Sequence, residues 1–257
     1  MRYEKICLAQ NKPSRGNIDK NIENHITLIS KAIEEDADLI IFPELSLTSY
    51  EPSRIKNLAI NIDDERLDYF QVISNKHSIT IIISAPITTP KGVNISLLIF
   101  NPMMKLNSYS KQYLHEDELP YFVNGVDDNN ILGEDPKLAL AICYETSIPD
   151  HQNAAIKNGA TIYLSSVAKS KEGVIKGQQQ LSNVAKTHAI TTMMSNSVGL
   201  CEDYECMGSS AIWDKEGSLM DQLDNYNEGI LIYDCTKDEI CFKWQSIGPK
   251  NLNLANA

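Results

Sequence analysis

The chain has 257 residues, 42% of them hydrophobic and 22% charged, the balance of a folded globular protein rather than a disordered one. A net charge of −11 and a pI near 4.9 leave no basic stripe for a phosphate backbone, which argues against a general nucleic-acid binder. No apolar run reaches the length of a membrane span, so no membrane partner is expected; runs such as Ile79-Thr80-Ile81-Ile82-Ile83 suit strands.

The N-terminal stretch, residues 1–9, lacks the long apolar segment of a secretory leader and reads as a first strand. A cytoplasmic location is expected, with the six cysteines reduced. The spacings of Cys201 with Cys206 and of Cys235 with Cys241 fit no standard zinc pattern, so no metal is expected.

In chain order, residues 5–9 read as a strand. Residues 17–33 read as a helix, with Ile18, Ile22, Ile26, Leu28, Ile29 and Ile33 near helical spacing. An apolar run at 38–42 is followed by an amphipathic helix at 65–76. Strands come next at 79–85 and 93–100, a turn at Asn101-Pro102, and an extended stretch at 106–110. The second half repeats the rhythm: strand 137–142, helix 149–157, strand 161–165, helix 174–187, and an extended segment at 191–196. Further strands are expected at 209–213 and 229–233, with a hairpin-like turn at Asp214-Lys215-Glu216-Gly217 after the first. No linker or short-period repeat divides the chain, so one layered α/β domain over residues 1–257 is the simplest organisation.

Three runs end in a charged or reactive residue. Leu39-Ile40-Ile41-Phe42 leads through Pro43 into Glu44, residues 106–110 lead into Lys111, and residues 138–142 lead into Cys143. If these strands are neighbours pointing the same way, a carboxylate, an ammonium and a thiol converge at one edge of the core. A thiol is a strong nucleophile once deprotonated. Glu44 is suited to take its proton, and burial would raise the Glu44 pKa for that role. Lys111 would stabilise the thiolate and then the oxyanion of a tetrahedral intermediate, with the backbone N–H of Tyr144 as second donor. Each residue alone has an ordinary explanation: a core thiol, a helix cap, a solvated charge.

The residues around this trio resemble the nitrilase superfamily of carbon–nitrogen hydrolases. Residues 38–50, which hold Phe42-Pro43-Glu44, look like that family's glutamate motif. Lys111-Gln112-Tyr113-Leu114, followed by Glu118-Leu119-Pro120-Tyr121, looks like its lysine motif with a downstream acidic residue, and Cys143-Tyr144-Glu145 looks like its nucleophile motif. The three stand in the family's order, and the likeness runs to at least Gly217, including Asn196-Ser197-Val198-Gly199 and Gly208-Ser209-Ser210.

The resemblance implies a four-layer α-β-β-α sandwich and a homodimer paired through outer helices. It also implies catalysis without a cofactor. Glu44 would be the general base, Lys111 the oxyanion stabiliser and Cys143 the nucleophile. Glu118 would orient the lysine and the substrate or water. It further implies that the loop from Ser165 to Lys169 lines the acyl pocket, making Ser166 and Ala168 expected substrate contacts; Tyr50 would wall the pocket or simply pack. His188 is read as structural, and neither His115 nor His151 is needed as a base.

Two departures bear on substrate. Thr48-Ser49-Tyr50 replaces a frequent Thr-Gly-Tyr, a mild change. A frequent Arg-Ala-x-Glu-Asn becomes Val184-Ala185-Lys186-Thr187-His188. Where that arginine contacts a substrate carboxylate in some branches, Val184 cannot, so hydrolysis of carbamoyl amino acids is disfavoured unless another cation substitutes. The expectation is an amidase-type hydrolase for a small linear amide. The alternatives are an acyltransferase passing the acyl group to an amine, a nitrilase or carbamoyl-amide hydrolase, and a catalytically silent metabolite-binding sandwich.

Overall fold

Alternation along the strands sorts each side chain into one of two layers, and this sorting builds the architecture. The computed structural model describes residues 1–126 and 130–246; the rest of the expected 1–257 domain lies outside the described residues. The first half comprises β1 (Lys5–Gln10), α1 (Ile18–Glu34), β2 (Leu39–Ile41), α2 (Ile55–Leu58), α3 (Asp68–His77), β3 (Thr80–Thr89), β4 (Gly92–Phe100) and β5 (Asn107–Ser110). The second comprises β6 (Ile131–Leu132), β7 (Leu138–Ile142), α4 (Pro149–Lys157), β8 (Ile162–Val167), α5 (Lys171–His188), β9 (Thr191–Asn196), β10 (Val198–Leu200), β11 (Glu205–Met207), β12 (Ala211–Trp213), β13 (Leu219–Gln222), β14 (Gly229–Asp234) and β15 (Glu239–Gln245).

One sheet has the order β15-β14-β1-β2-β3-β4-β5 and the other β13-β12-β9-β8-β7-β6, with β10 and β11 forming a separate hairpin. Inward residues Ile6, Leu8, Leu39, Ile41 and Ile82 meet Leu138, Leu140, Ile142, Leu164 and Met193 in the core between the sheets. The alternate residues Cys7, Ala9, Ile40, Phe42, Ile81 and Ile83 face α1 and α3, packing on Ile22, Ile29 and Phe70. On the opposite side Ala139, Ala141 and Tyr163 pack on Leu181, Val184 and Ala185 of α5 and Ala155 of α4. The result is the expected α-β-β-α sandwich.

The boundaries differ from the sequence reading where polar capping intervenes. The helix expected at 174–187 starts at Lys171 because Ser170 caps it, its Oγ accepting from Gly173 N at 3.3 Å. The helix expected at 65–76 divides into a 3-10 turn, Glu65–Leu67, and α3. The strand expected at 209–213 contracts to β12, since Ser210 N donates to the Gln10 side chain at 3.0 Å instead of to a ladder partner. Strand β15, unforeseen, carries an alternation of Ile240, Phe242 and Trp244; the Lys31 ammonium sits 4.1 Å from the Trp244 ring centroid.

Candidate active site

Strands β2 and β5 are not neighbours. They lie in one sheet with β3 and β4 between them, while β7 belongs to the other sheet. Because β2 runs parallel to β3, and the pairings β3–β4 and β4–β5 are both antiparallel, β2 and β5 point the same way. The convergence expected at one edge of the core is made across two stacked sheets rather than by neighbouring strands.

Glu44 follows β2 in a turn that includes left-handed residues at Leu45 (φ 49°) and Ser49 (φ 66°). The turn is anchored from α1: Asn21 Nδ2 donates to Leu47 O at 2.9 Å, and His25 Nε2 lies 3.0 Å from Ser46 Oγ. Lys111 follows β5, its own amide donating to Ile95 O at 2.9 Å, and it is 1% exposed. Its Nζ donates to Glu44 Oε1 at 2.7 Å and to Glu118 Oε1 at 2.6 Å. Glu118 is held in turn by His115 N, which donates to Oε2 at 2.7 Å, and by the Tyr50 hydroxyl, which donates to Oε1 at 3.1 Å.

An ammonium has three donors. Two of those on Lys111 are engaged by carboxylates, leaving one for a further oxygen. Burial works against the Lys111 charge, but Glu44 and Glu118 outweigh it and hold the pKa above the ordinary lysine value. Burial raises the Glu44 pKa, an effect that Lys111 opposes and Glu118 reinforces. Glu44 Oε2 is buried without a hydrogen-bond partner among the described residues, and the nearby Cys143 thiol favours its charged form weakly.

Cys143 opens a 3-10 turn, Cys143–Ser147, directly after β7, and adopts a left-handed φ of 43°. That conformation is uncommon outside glycine and makes a sharp strand-to-helix bend. The thiol pKa is pushed up to about 11, first by burial and then by Glu44, against the opposing charges of Lys169 and Lys111. The resting form is therefore the thiol. Lys111 favours the thiolate, as expected from sequence, but burial and the adjacent carboxylate outweigh it. Tyr144 is the second residue of the turn, and its N–H belongs to a first turn whose amides lack intrahelical acceptors.

A cleft of about 510 Å³ is lined by Glu44, Lys111, Glu118, Cys143 and Tyr144, with Tyr50 and Ala168 on its walls. Ser166 is not brought there. It is fully buried, and its Oγ donates to Phe42 O at 2.8 Å, tying β8 to the end of β2 two residues before Glu44. Val184 is also absent from the cleft, buried on the sheet-facing side of α5. His151 is buried beneath the site, between Tyr109 Oη at 3.0 Å and Tyr163 Oη at 2.7 Å.

Sequence reasoning missed three contributors. Glu145, fully buried, accepts from Ile142 N at 2.7 Å, Gln112 N at 2.6 Å and Tyr109 Oη at 2.8 Å, joining the Cys143 bend to the segment after Lys111. Its signal was a lone acid two residues after the thiol. Lys169 and Tyr204 also line the cleft. Lys169 is the last residue of the pocket loop already singled out but was not named as a contact, whereas Tyr204, on the loop between β10 and β11, had no local signal. Cys201 and Cys206 pack against Ala168 with Tyr50 and Tyr204 nearby. The six cysteines are free, and no cluster of His, Cys, Asp and Glu suited to a metal occurs among the described residues.

Fold and cleft together define a layered α/β protein with a nucleophile-bearing bend beside a buried Glu–Lys–Glu cluster. The carbon–nitrogen hydrolase family matches residues 5–241, and the chain belongs to that family. It is similar to a probable nitrilase of Schizosaccharomyces pombe, 25% identical, over 91% of this chain and 89% of that protein. It is also similar to a glutamine-dependent NAD(+) synthetase of Acinetobacter baylyi, 27% identical over 89% of this chain; the match spans 43% of the synthetase. Among solved structures, a mutant amidase from Nesterenkonia sp. AN1 superposes with a TM-score of 0.79 at 24% identity, covering 91% of this chain and 90% of that one. That structure shows covalent addition of the acetamide moiety of fluoroacetamide at its active-site cysteine.

Proposed function

We propose that the protein hydrolyses a small linear amide through a thioester on Cys143. The observation that carries this is the buried Lys111 ammonium joining Glu44 and Glu118 in the cleft that also holds Cys143. A binding protein has no chemical need for a nucleophile, a base and a fixed cation together. The family match over residues 5–241 supports reading the chain as one hydrolase domain.

In the first step Cys143 Sγ bonds to the amide carbonyl carbon while its proton passes to Glu44. The remaining Lys111 N–H and the Tyr144 backbone N–H receive the oxyanion. The intermediate collapses as Glu44 returns the proton to the nitrogen, and ammonia or amine leaves a thioester behind. Water then attacks that carbonyl, losing its proton to Glu44. The second intermediate expels the Cys143 sulfur, which regains the proton from Glu44 as the acid departs. A neutral thiol beside a carboxylate of raised pKa suits this sequence, because the proton moves only as the S–C bond forms.

Similarity to an amidase whose cysteine takes a covalent adduct, and to a synthetase dependent on glutamine, itself a linear amide, supports an amide over a nitrile. A screen of small amides for ammonia release tests the reading. Cys143→Ala is expected to abolish release, and mass spectrometry of a slow substrate is expected to find the acyl group on Cys143. Undiminished turnover in Cys143→Ala, or an adduct confined to Cys201 or Cys206, would overturn it.

A further inference from the structure

Lys169 is half-buried in the wall of the cleft, on the segment between β8 and α5. Its backbone is clamped on both sides. Its N–H donates to Asn196 Oδ1 at 2.8 Å, and its carbonyl accepts from Met207 N at 3.0 Å and Asn196 Nδ2 at 3.3 Å. The aliphatic stem lies along two glycines of α5. A Cβ at Gly173 would stand 3.2 Å from Lys169 Cβ, and one at Gly177 would stand 3.0 Å from Cε and 3.1 Å from Cδ. Glycine in a helix interior costs stability relative to alanine, so this i, i+4 pair is explained by the channel it leaves for the lysine.

The ammonium at the end of that channel forms no ion pair among the described residues, unlike Lys111. The first turn of α5, with Ser170 and Gly173, lines the same cleft, and its dipole adds positive potential. Of the acids lining the cleft, Glu44 and Glu118 are paired with Lys111, and Asp117 and exposed Glu172 form no ion pair with Lys169 among the described residues. A positioned, half-dehydrated cation without a carboxylate is a site for an anion that arrives with the substrate.

We infer that Lys169 binds a carboxylate at the far end of the substrate, so that the preferred amides are short monoamides of dicarboxylic acids. This rests on the hydrolase reading above and adds the charge of the substrate to it. Lys169, Lys111 and Cys143 line the same cleft of about 510 Å³, so the amide and the carboxylate are separated by a short chain. The cation is supplied by the loop after β8, whereas the α5 position that the resemblance suggested, Val184, faces the core.

The test compares succinamate with 4-oxopentanamide, which has the same shape without the charge. The wild-type protein is expected to favour succinamate in kcat/KM by roughly tenfold or more, as for other sites built around one polar group. Lys169→Met should collapse that ratio through KM, and Lys169→Arg should keep most of it. In the Cys143→Ala background, calorimetry should detect succinamate binding, weakened about tenfold or more by adding Lys169→Met. Failure of both amides to release ammonia would sink the hydrolase reading and leave calorimetry to decide the anion site. The inference itself is overturned if Lys169→Met leaves the ratio unchanged, if both amides lose equally, as for a cation acting only on the thiol, or if succinamate binding ignores Lys169.

Discussion

Lys111 Nζ lies 2.6 Å from Oε1 of Glu118, as close as it lies to the expected base Glu44, so the ammonium is held between two carboxylates rather than paired with one. The second carboxylate fixes the direction of the remaining N–H. Glu118→Gln keeps an acceptor for Tyr50 but removes a charge, and kcat should fall roughly 10- to 100-fold with the fold intact. Steady-state ammonia release together with thermal unfolding checks this; full activity would remove Glu118 from the machinery.

Removing the cation should damage stability as well as turnover. Lys111→Met leaves Glu44 and Glu118 buried without a counter-charge, and breaking a buried ion pair from one side costs about 3–5 kcal/mol. Urea unfolding at neutral pH measures the loss. It should shrink in Lys111→Met/Glu118→Gln, which buries one fewer orphan charge.

Glu44 raises the Cys143 pKa in the resting protein, which separates its electrostatic effect from its role as base. Glu44→Gln is expected to abolish turnover and, at the same time, to lower the thiol titration midpoint from about 11. Alkylation rate against pH reads the midpoint. An unchanged or higher midpoint would mean that the two side chains do not face each other.

Two buried histidines make stability depend on acid. Burial pushes the pKa of His25 and of His151 down to about 4 from an ordinary value of 6.5. Between those values the unfolded chain binds the extra protons, so stability rises with pH. The contribution is fully present above 6.5 and lost as pH falls through about 4, on the order of 3 kcal/mol for each histidine. Glu145 acts oppositely: burial pushes it up to about 7, so its contribution is present at low pH and lost as pH rises through that value. Histidine NMR titration should find no protonation of His25 or His151 at pH 6, and urea midpoints should drop between pH 6 and pH 4.

Ser166 tests whether the sheets position Glu44. Ser166→Ala removes the donor to Phe42 O and leaves a buried carbonyl unpaired, which costs about 1–3 kcal/mol. Activity should fall for every amide alike, whereas loss for selected substrates would restore Ser166 to the pocket wall.

Glu44 and Cys143 were legible because each follows a short continuous apolar run that suits a buried strand, whereas Lys111 follows the more polar extended stretch 106–110 and was marked by the family likeness. Ser166 faces Phe42 and Val184 faces the core for a different reason. A hydroxyl in a pocket loop and an aliphatic residue in a helix carry no mark of which side they face, and neighbours from β2 and the second sheet made that choice. Lys169 was passed over because its meaning depends on Gly173 and Gly177, whose missing side chains say nothing until the helix is laid against the loop.

By itself the sequence determined the succession of strands and helices, the family likeness and the identity of the thiol, carboxylates and ammonium. These are local properties, set by periodicity and residue chemistry. The tertiary structure decided that the cluster forms across two sheets, that Lys111 is shared by two acids, and that Cys143 rests protonated. Those outcomes depend on burial and on distances of a few ångströms between residues up to about a hundred positions apart in the chain, where desolvation and Coulomb energy are set by packing rather than by sequence neighbours.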